Sequence, residues 1–253
     1  TVNKGFDGTL EYSQQVGNVF LTARGNFTFN RNKLLNNDEP DWEYKYQNRI
    51  GKSFGSGGTM QPFGLVALGL FESQEEIDNS PTQTFGEYRV GDIKYQDING
   101  DGQIDSQDMV AMGYTNLPEI IYGFGATAQW KGWDFNVFFQ GVDHSSFFIS
   151  GSTLQSPFSS GNMERAALQE DLWGKTWMST NTPEQNANAS YPRLSLSGAA
   201  GSSNNQQTSS WWLRSGDFLR LKNVEIGYSL PKNILDRSFV KSLRFYVSGN
   251  NLL

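Results

Sequence analysis

Hydrophobic and polar residues alternate with period two in several stretches of this chain. From Asn18 to Asn30 the odd positions Val19, Leu21, Ala23, Gly25, Phe27 and Phe29 face the even positions Asn18, Thr22, Arg24, Asn26, Thr28 and Asn30, with Phe20 the one deviation. Such alternation predicts a strand with one apolar and one polar face. Tyr122, Phe124, Ala126, Ala128 and Trp130 repeat the pattern, and Trp133, Phe135, Val137 and Phe139 resume it after Lys131-Gly132. Two such runs joined by a two-residue loop predict a tight β-hairpin. Leu243, Phe245, Val247 and Gly249 form one face of a further strand, and Leu10 and Tyr12 mark a weaker one over Gly8 to Val16. In Asp217 to Leu230 the apolar set changes face, from Leu219 and Leu221 to Val224, Ile226, Tyr228 and Leu230, which predicts a bulge near Lys222-Asn223. Weaker patterns predict strands at about Tyr44 to Phe54 and Pro62 to Leu70, which brings the expected total to about eight.

Alternation suits a soluble β-sandwich, whose apolar face is a core, and a membrane barrel, whose apolar face meets lipid. Connection length favours the barrel. The turns near Gly17, at Lys131-Gly132 and over Pro231 to Lys241 are short, whereas 72–119 and 143–216 are far longer than loops in compact domains usually are. Short and long connections alternate, which puts every long one at one end of an up-and-down sheet, as in outer-membrane barrels. Aromatics collect toward strand ends, with Trp130 and Trp133 bracketing the tight turn and Phe27, Phe29, Tyr122, Phe124 and Tyr228 in similar places. This matches the aromatic girdles at the two lipid interfaces. The expected fold is therefore all-β: an antiparallel up-and-down transmembrane β-barrel segment of about eight strands from a larger barrel, with long extracellular loops at 72–119 and 143–216.

Composition narrows the chemistry. The 253 residues include 18 Phe, 10 Tyr and 7 Trp, yet only 37% are hydrophobic, and mean hydropathy is -0.53. So much aromatic area on so polar a chain must be gathered on particular faces. The absence of Cys excludes disulfides and thiolate chemistry, and a single His excludes His-rich metal sites. A net charge of -6 without Lys/Arg runs argues against nucleic acid as a partner. The longest mostly apolar run, Phe63 to Phe71, is far shorter than the roughly 20 residues of a spanning helix. Asp143-His144-Ser145 is no catalytic triad, since neighbouring side chains cannot form the relay and no second His exists. No enzymatic activity is expected.

Inside the first long connection, Asp97, Asn99, Asp101, Asp105 and Asp108 place oxygen-bearing side chains at positions 1, 3, 5, 9 and 12 of a loop, with Gly102 at position 6 and Gln103 offering its carbonyl at 7. That is the spacing of an EF-hand-type calcium loop, with Asp at 12 in place of Glu. Metal ligation by Asp97, Asn99, Asp101, Gln103, Asp105 and Asp108 is expected, with Ca²⁺ as the ion because all donors are oxygens. The bland alternative is a surface turn rich in Asn-Gly and Asp-Gly.

The blocks FGLVALGLFESQEEI (63–77), GDIKYQDINGDGQID (91–105), YGFG (122–125), VFFQG (137–141), WLRSGDFLRLKNVEIGY (212–228) and YVSGNNL (246–252) resemble the C-terminal barrel region of SusC/RagA-type TonB-dependent outer-membrane transporters. The resemblance extends over essentially the whole chain. It implies import of oligosaccharides or peptides across the outer membrane of a Gram-negative bacterium, alongside a SusD-like surface lipoprotein. Energy would come from a TonB complex engaged through an N-terminal part that this sequence lacks. It also implies a barrel of about 22 strands, so the sequence reads as a fragment without plug or last strand. Trp173, Trp177, Tyr191, Trp211 and Trp212 in the second loop are the candidate substrate or partner residues. The competing roles for them are packing the loop on itself and touching the lipoprotein. Arg24, Asp134, Arg244 and Glu11 are expected to face the lumen. The alternative function is a secreted soluble carbohydrate-binding β-sandwich with a calcium loop.

Overall fold

The computed structural model describes residues 1–55, 61–149, 170–194, 203–236 and 239–252. Parts of the expected loop 143–216 and of the turn 231–241 therefore lie outside the described residues. Among the described residues, six long strands form one antiparallel sheet in simple chain order. They are β1 (Val2–Val16), β2 (Val19–Lys33), β3 (Ile120–Trp130), β4 (Trp133–Asp143), β5 (Phe218–Ser229) and β6 (Arg244–Asn250).

Register carries the period-two pattern across the whole sheet. Tyr12, Ala23, Ala126, Val137, Val224 and Gly249 lie in one cross-strand row. On the opposite face, Ser13, Thr22, Thr127, Asn136, Glu225 and Ser248 form the matching polar row. The predicted bulge is present: Phe138 pairs with Asn223 but Phe139 with Leu221, so Lys222 is the extra residue. It lets Leu219 and Leu221 share a face with Val224 and Ile226. Lys131 and Gly132 both take positive φ (46° and 89°), as a two-residue hairpin matched to strand twist requires.

The apolar face is not the inside of a sandwich. Leu10, Phe124, Phe135, Ile226 and Val247 on it are exposed, and the sheet pairs or packs with no second large sheet among the described residues. Its ends are aromatic. At the short-turn end Val16, Val19, Trp130, Trp133, Tyr228 and Phe245 form one row, with the Trp133 and Tyr228 rings 4.8 Å apart. Phe6, Phe27, Phe29 and Tyr122 gather toward the other end. Trp130 and Tyr122 are eight residues apart on β3, about 26 Å along a strand.

The polar face carries a hydrogen-bonded ladder across five strands. Asn136 accepts from Thr127 (3.2 Å) and Arg24 (3.5 Å) and donates to Asn223 (2.8 Å), which donates to Asn250 (3.1 Å). Arg244 bridges Asp134 and Glu225 across β4, β5 and β6. Arg24, Asp134, Arg244 and Glu11 thus share one face. Phe138 breaks the pattern by lying among polar groups, and the bare backbone of Gly125 admits its ring while the Arg24 guanidinium lies over it, 5.0 Å from the centroid.

Short and long connections alternate as expected, and the first long one starts earlier, running from 34 to 119; the second spans 144–217. The two weaker predicted strands do not join the sheet. Residues 45–47 form a single 3₁₀ turn, and 62–70 breaks into two short strands, Phe63–Gly64 and Ala67–Leu70. The reason is visible in the run itself: FGLVALGLF lacks alternation because Leu65 and Phe71 are fully buried in a body made by the connections. There Ala67–Leu70 pairs with Ile93–Tyr95, and Phe63–Gly64 with Val110–Ala111.

Candidate functional site

The long connections fold into one body with its own core, and its members come from both. Leu65, Ile93, Tyr95 and Ile104 of the first connection bury against Leu172 and Trp212 of the second. Backbone bonds stitch the two together, from Leu65 N to Thr208 O (2.9 Å) and from Ser210 N to Leu65 O (3.0 Å). Under this core runs a buried polar network. Gln83 donates to the Asn204 side chain (2.7 Å) and accepts from Tyr95 N (2.7 Å), and Asn205 accepts from Ile93 N (2.9 Å) while donating to Asp92 (2.8 Å). Asp92 is fully buried and meets Arg193, with Nη2–Oδ2 2.9 Å and Nε–Oδ1 2.8 Å. Burial pushes the Asp92 carboxyl above the usual carboxylate range, although Arg193 and Asn205 oppose the shift. Burial likewise raises the Tyr95 phenol, whose hydroxyl donates to Asn204 O.

The five loop aromatics divide by depth. Trp212 is 1% exposed and is core; its indole N–H donates to Asn205 O (2.7 Å). Tyr191, with its ring 6.4 Å from that of Trp212, and Trp211 pack against the core from outside. Trp173 is 77% exposed. Trp177 is half-buried, its indole lying on the backbone of Gly91, where any Cβ would meet the ring at 2.4 Å. It borders a cleft of about 670 Å³ between the two connections, lined also by Leu70, Glu76, Lys94, Asn181 and Glu184. Glu76 is held there by Lys94 Nζ (2.6 Å) and by the N–H of Glu72 (2.8 Å). Its carboxyl sits below the usual range because those two contacts outweigh desolvation, itself the largest single influence and acting upward. An aromatic flank, aliphatic side chains and a few fixed polar groups are what a small-ligand cleft is made of.

The acidic loop adopts a compact chain of turns. Asp97 accepts from Gly100 N (2.6 Å) and Gly102 N (2.9 Å), and both glycines take positive φ (79° and 82°). Asp101 caps Gln103 N (2.8 Å), Asp105 caps Gln107 N (2.6 Å), and Asp108 takes Ile98 N (2.7 Å) and Asp105 N (2.9 Å). Asp108 is 0% exposed. The donor set is all oxygen and chemically fits a hard cation. Among the described residues, however, no three acidic side chains converge on one point. Each carboxylate accepts from a backbone N–H of the same loop, and these bonds shape its turns. Beside it Tyr44 and Tyr46 stack, 5.4 Å apart, and Tyr46 donates to Gln107 O (2.7 Å).

Where loop body meets sheet, Arg31 clasps Glu119 through two 2.9 Å contacts from Nε, and His144 Nδ1 lies 3.2 Å from the same carboxylate. His144 stacks on Tyr114 at 4.4 Å, which joins the roots of both connections. Sequence reading missed this clasp and the Asp92–Arg193 pair, since neither has a local motif. The only trace was polar residues in segments too apolar for simple loops, such as Asp92 beside Ile93.

Comparison with known proteins follows the same lines. No protein-family model matches the chain. It is 30% identical to TonB-dependent receptor P26 of Formosa agariphila, over 99% of the chain and 24% of that protein. To TonB-dependent receptor P3 of the same organism it is 25% identical, again over 99% of the chain and 24% of the relative. The RagAB peptide transporter superposes with a TM-score of 0.64 at 19% identity, covering 99% of this chain and 25% of that one. The RagAB peptide importer in its open-open state gives 0.65 at the same identity and the same coverage. The chain thus spans about a quarter of the length of the proteins it matches. Those proteins are receptors and transporters, not enzymes.

Proposed function

This chain is a relative of the TonB-dependent receptors along its whole length, with the antiparallel barrel-wall fold of an outer-membrane protein, and from that premise we propose that it serves in import of oligosaccharides or peptides across the outer membrane of a Gram-negative bacterium. The observation that carries the reading is the sheet itself. One face is apolar across all six strands save for Gln14 on β1 and ends in aromatic rows, the other carries a polar ladder, and both long connections leave from the same end. The apolar face meets lipid, the polar face lines the lumen, and the loop body lies outside the cell. On that outer body the exposed Trp173 and the Trp177 cleft are the surfaces left for substrate or for a SusD-like lipoprotein, because Trp212 is spent on the core. A SusD-like surface lipoprotein and a TonB complex belong to the proposal in the same way.

Orientation is directly testable in the full-length receptor, in a background without other cysteines. Lys175→Cys on the loop body is expected to react with a membrane-impermeant maleimide on intact cells, and Asn18→Cys in the short β1–β2 turn only after permeabilisation. The reverse pattern, or equal labelling of both, removes the proposed topology. Import itself is read by growth of a deletion strain on oligosaccharide or peptide as sole source, with and without a working TonB complex.

The acidic loop is proposed to hold Ca²⁺ through Asp97, Asn99, Asp101, Gln103, Asp105 and Asp108, where an ion would neutralise the four carboxylates carried within twelve residues. The tyrosine pair beside the loop supplies the assay. Tb³⁺ added to the receptor is expected to give luminescence excited through Tyr44 and Tyr46, displaced by Ca²⁺ and lost in Asp101→Asn/Asp105→Asn. Chelation is expected to raise protease cutting within 97–108 and leave the sheet unchanged. Absence of sensitised emission together with identical digests would sink the calcium assignment.

A further inference from the structure

The cleft between the two connections carries a charge that the loop body leaves unanswered. Leu68, Leu70, Glu72, Glu76 and Lys94 of the first connection line one side, and Trp177, Pro183 and Glu184 of the second line the other. None of these residues belongs to the six strands of the sheet, and the two sides are fixed to each other by the shared core and by the bond from Arg193 N to Gly91 O (2.8 Å). The cleft therefore does not depend on how the edges of the sheet are paired. Its lining holds three carboxylates and one ammonium. Lys94 Nζ is taken by Glu76 (2.6 Å), whereas Glu72 and Glu184 have no ion-pair partner among the described residues. Glu184 receives its own backbone N–H and the Thr182 hydroxyl, which hold its carboxyl below the usual range. The cleft is thus anionic at neutral pH.

The lining also selects the form of the cation. A bare metal ion needs oxygens that converge, and no three acidic side chains do so among the described residues. Leu68, 55% exposed, Leu70, Pro183 and Trp177 offer apolar area in the same cleft, which suits methylenes. The amide and ammonium nitrogens are already committed: Lys94 donates to Glu76, Asn181 to Thr176 O and Asn186 Oδ1, and Asn186 to Met178 O. A neutral sugar would leave the two carboxylates without a counter-charge, and an anionic one would be repelled. An amino sugar carries its cation on a hydroxylated ring, whereas lysine and arginine carry theirs on an aliphatic stem. The volume of about 670 Å³ accommodates such a side chain together with the backbone that bears it. We propose that this cleft is a specificity subsite for a basic side chain, which makes the imported class peptides that contain lysine or arginine. The inference rests on the import reading of the chain.

The test uses the full-length receptor purified in mild detergent. A short neutral peptide with one central lysine is expected to bind about fivefold more tightly than its glutamine counterpart, the gain that one part-exposed ion pair supplies. That preference is expected to vanish in Glu72→Gln/Glu184→Gln, where isosteric amides at two exposed positions remove charge alone. In Glu184→Lys it is expected to pass to the glutamate counterpart. A second arm needs no variant: carbodiimide coupling of the lysine peptide to the wild-type receptor is expected to attach it at Glu72 or Glu184. Equal affinity for the lysine and glutamine peptides, a preference unchanged in the double variant, attachment only elsewhere, or uptake of oligosaccharides alone would each overturn it. So would a double variant that loses a surface lipoprotein while its peptide affinity stays the same. Failure of the underlying reading looks different: deletion of the receptor would leave cellular uptake of every peptide and oligosaccharide unchanged.

Discussion

Val137→Arg is expected to destabilise the membrane-inserted barrel by about 2–4 kcal/mol, whereas Gln129→Arg, eight residues away, is expected to be nearly neutral. Val137 lies in the middle row of the apolar face, between the aromatic row of Trp130 and Trp133 and the cluster of Phe27 and Tyr122. An arginine there would be held at the depth where hydrocarbon is thickest and where snorkelling to either interface is hardest. Gln129 occupies the opposite face, paired with Asp134 on β4. A guanidinium at that position gains water and a nearby carboxylate. The measurement is the urea midpoint of the full-length receptor refolded into liposomes; every 1.4 kcal/mol is a tenfold change in the folding equilibrium. Similar destabilisation by both variants would mean that the two faces do not differ in solvent, and the barrel assignment would fall.

The second large effect lies in the loop body. Asp92→Ala is expected to cost about 3–5 kcal/mol of local stability, because it strands Arg193 in the interior and removes the acceptor of Asn205. Asp92 is bonded to Arg193 and Asn205, and a third contact comes from the N–H of Arg89 (2.8 Å). Since the core shares residues from both connections, the loss should open both together. Hydrogen exchange is expected to speed up over 91–95 and 203–212 while β1–β6 keep their protection. Acceleration confined to one connection would show that the body is not cooperative.

The same carboxyl sets a pH dependence. Its folded-state pKa is raised, so the folded body binds the proton more tightly than the unfolded chain does. Its contribution is therefore fully present below the ordinary Asp value of about 3.9 and is lost as pH rises through the raised folded value. Asp92→Asn is expected to flatten that part of the pH profile of loop exchange. A profile unchanged by the substitution would assign the dependence to other carboxylates.

Much of the sheet could be read from the chain because a strand in lipid is specified locally. Each residue faces either hydrocarbon or the wet lumen, and which one is written in its parity; even the bulge at Lys222 announced itself as a change of parity. The loop body obeys no such local rule. Its core joins residues more than a hundred positions apart, such as Gln83 with Asn204 and Asp92 with Asn205, and no spacing of residues reveals such pairs. The run FGLVALGLF looked like a barrel strand because it is apolar, although its fully buried members, Leu65 and Phe71, pack inside the loop body and do not face lipid.

The loop aromatics and acidic loop show the same boundary. Composition marked Trp173, Trp177, Tyr191, Trp211 and Trp212 as a group, since aromatics are conspicuous among Ser, Asn and Gly. Only packing separated the buried Trp212 from the exposed Trp173. Spacing alone picked out Asp97 to Asp108 as a turn of oxygen donors, while the structure showed those carboxylates already engaged by backbone N–H groups. The sequence by itself determined the six strands of the sheet, their two faces, the short turns and the end at which the long connections gather, because these depend on period and on residues close in the chain. Tertiary structure decided that the connections form one cored body, which aromatics stay accessible, and where a cleft opens between the two connections, because each depends on side chains that meet only after the chain has folded.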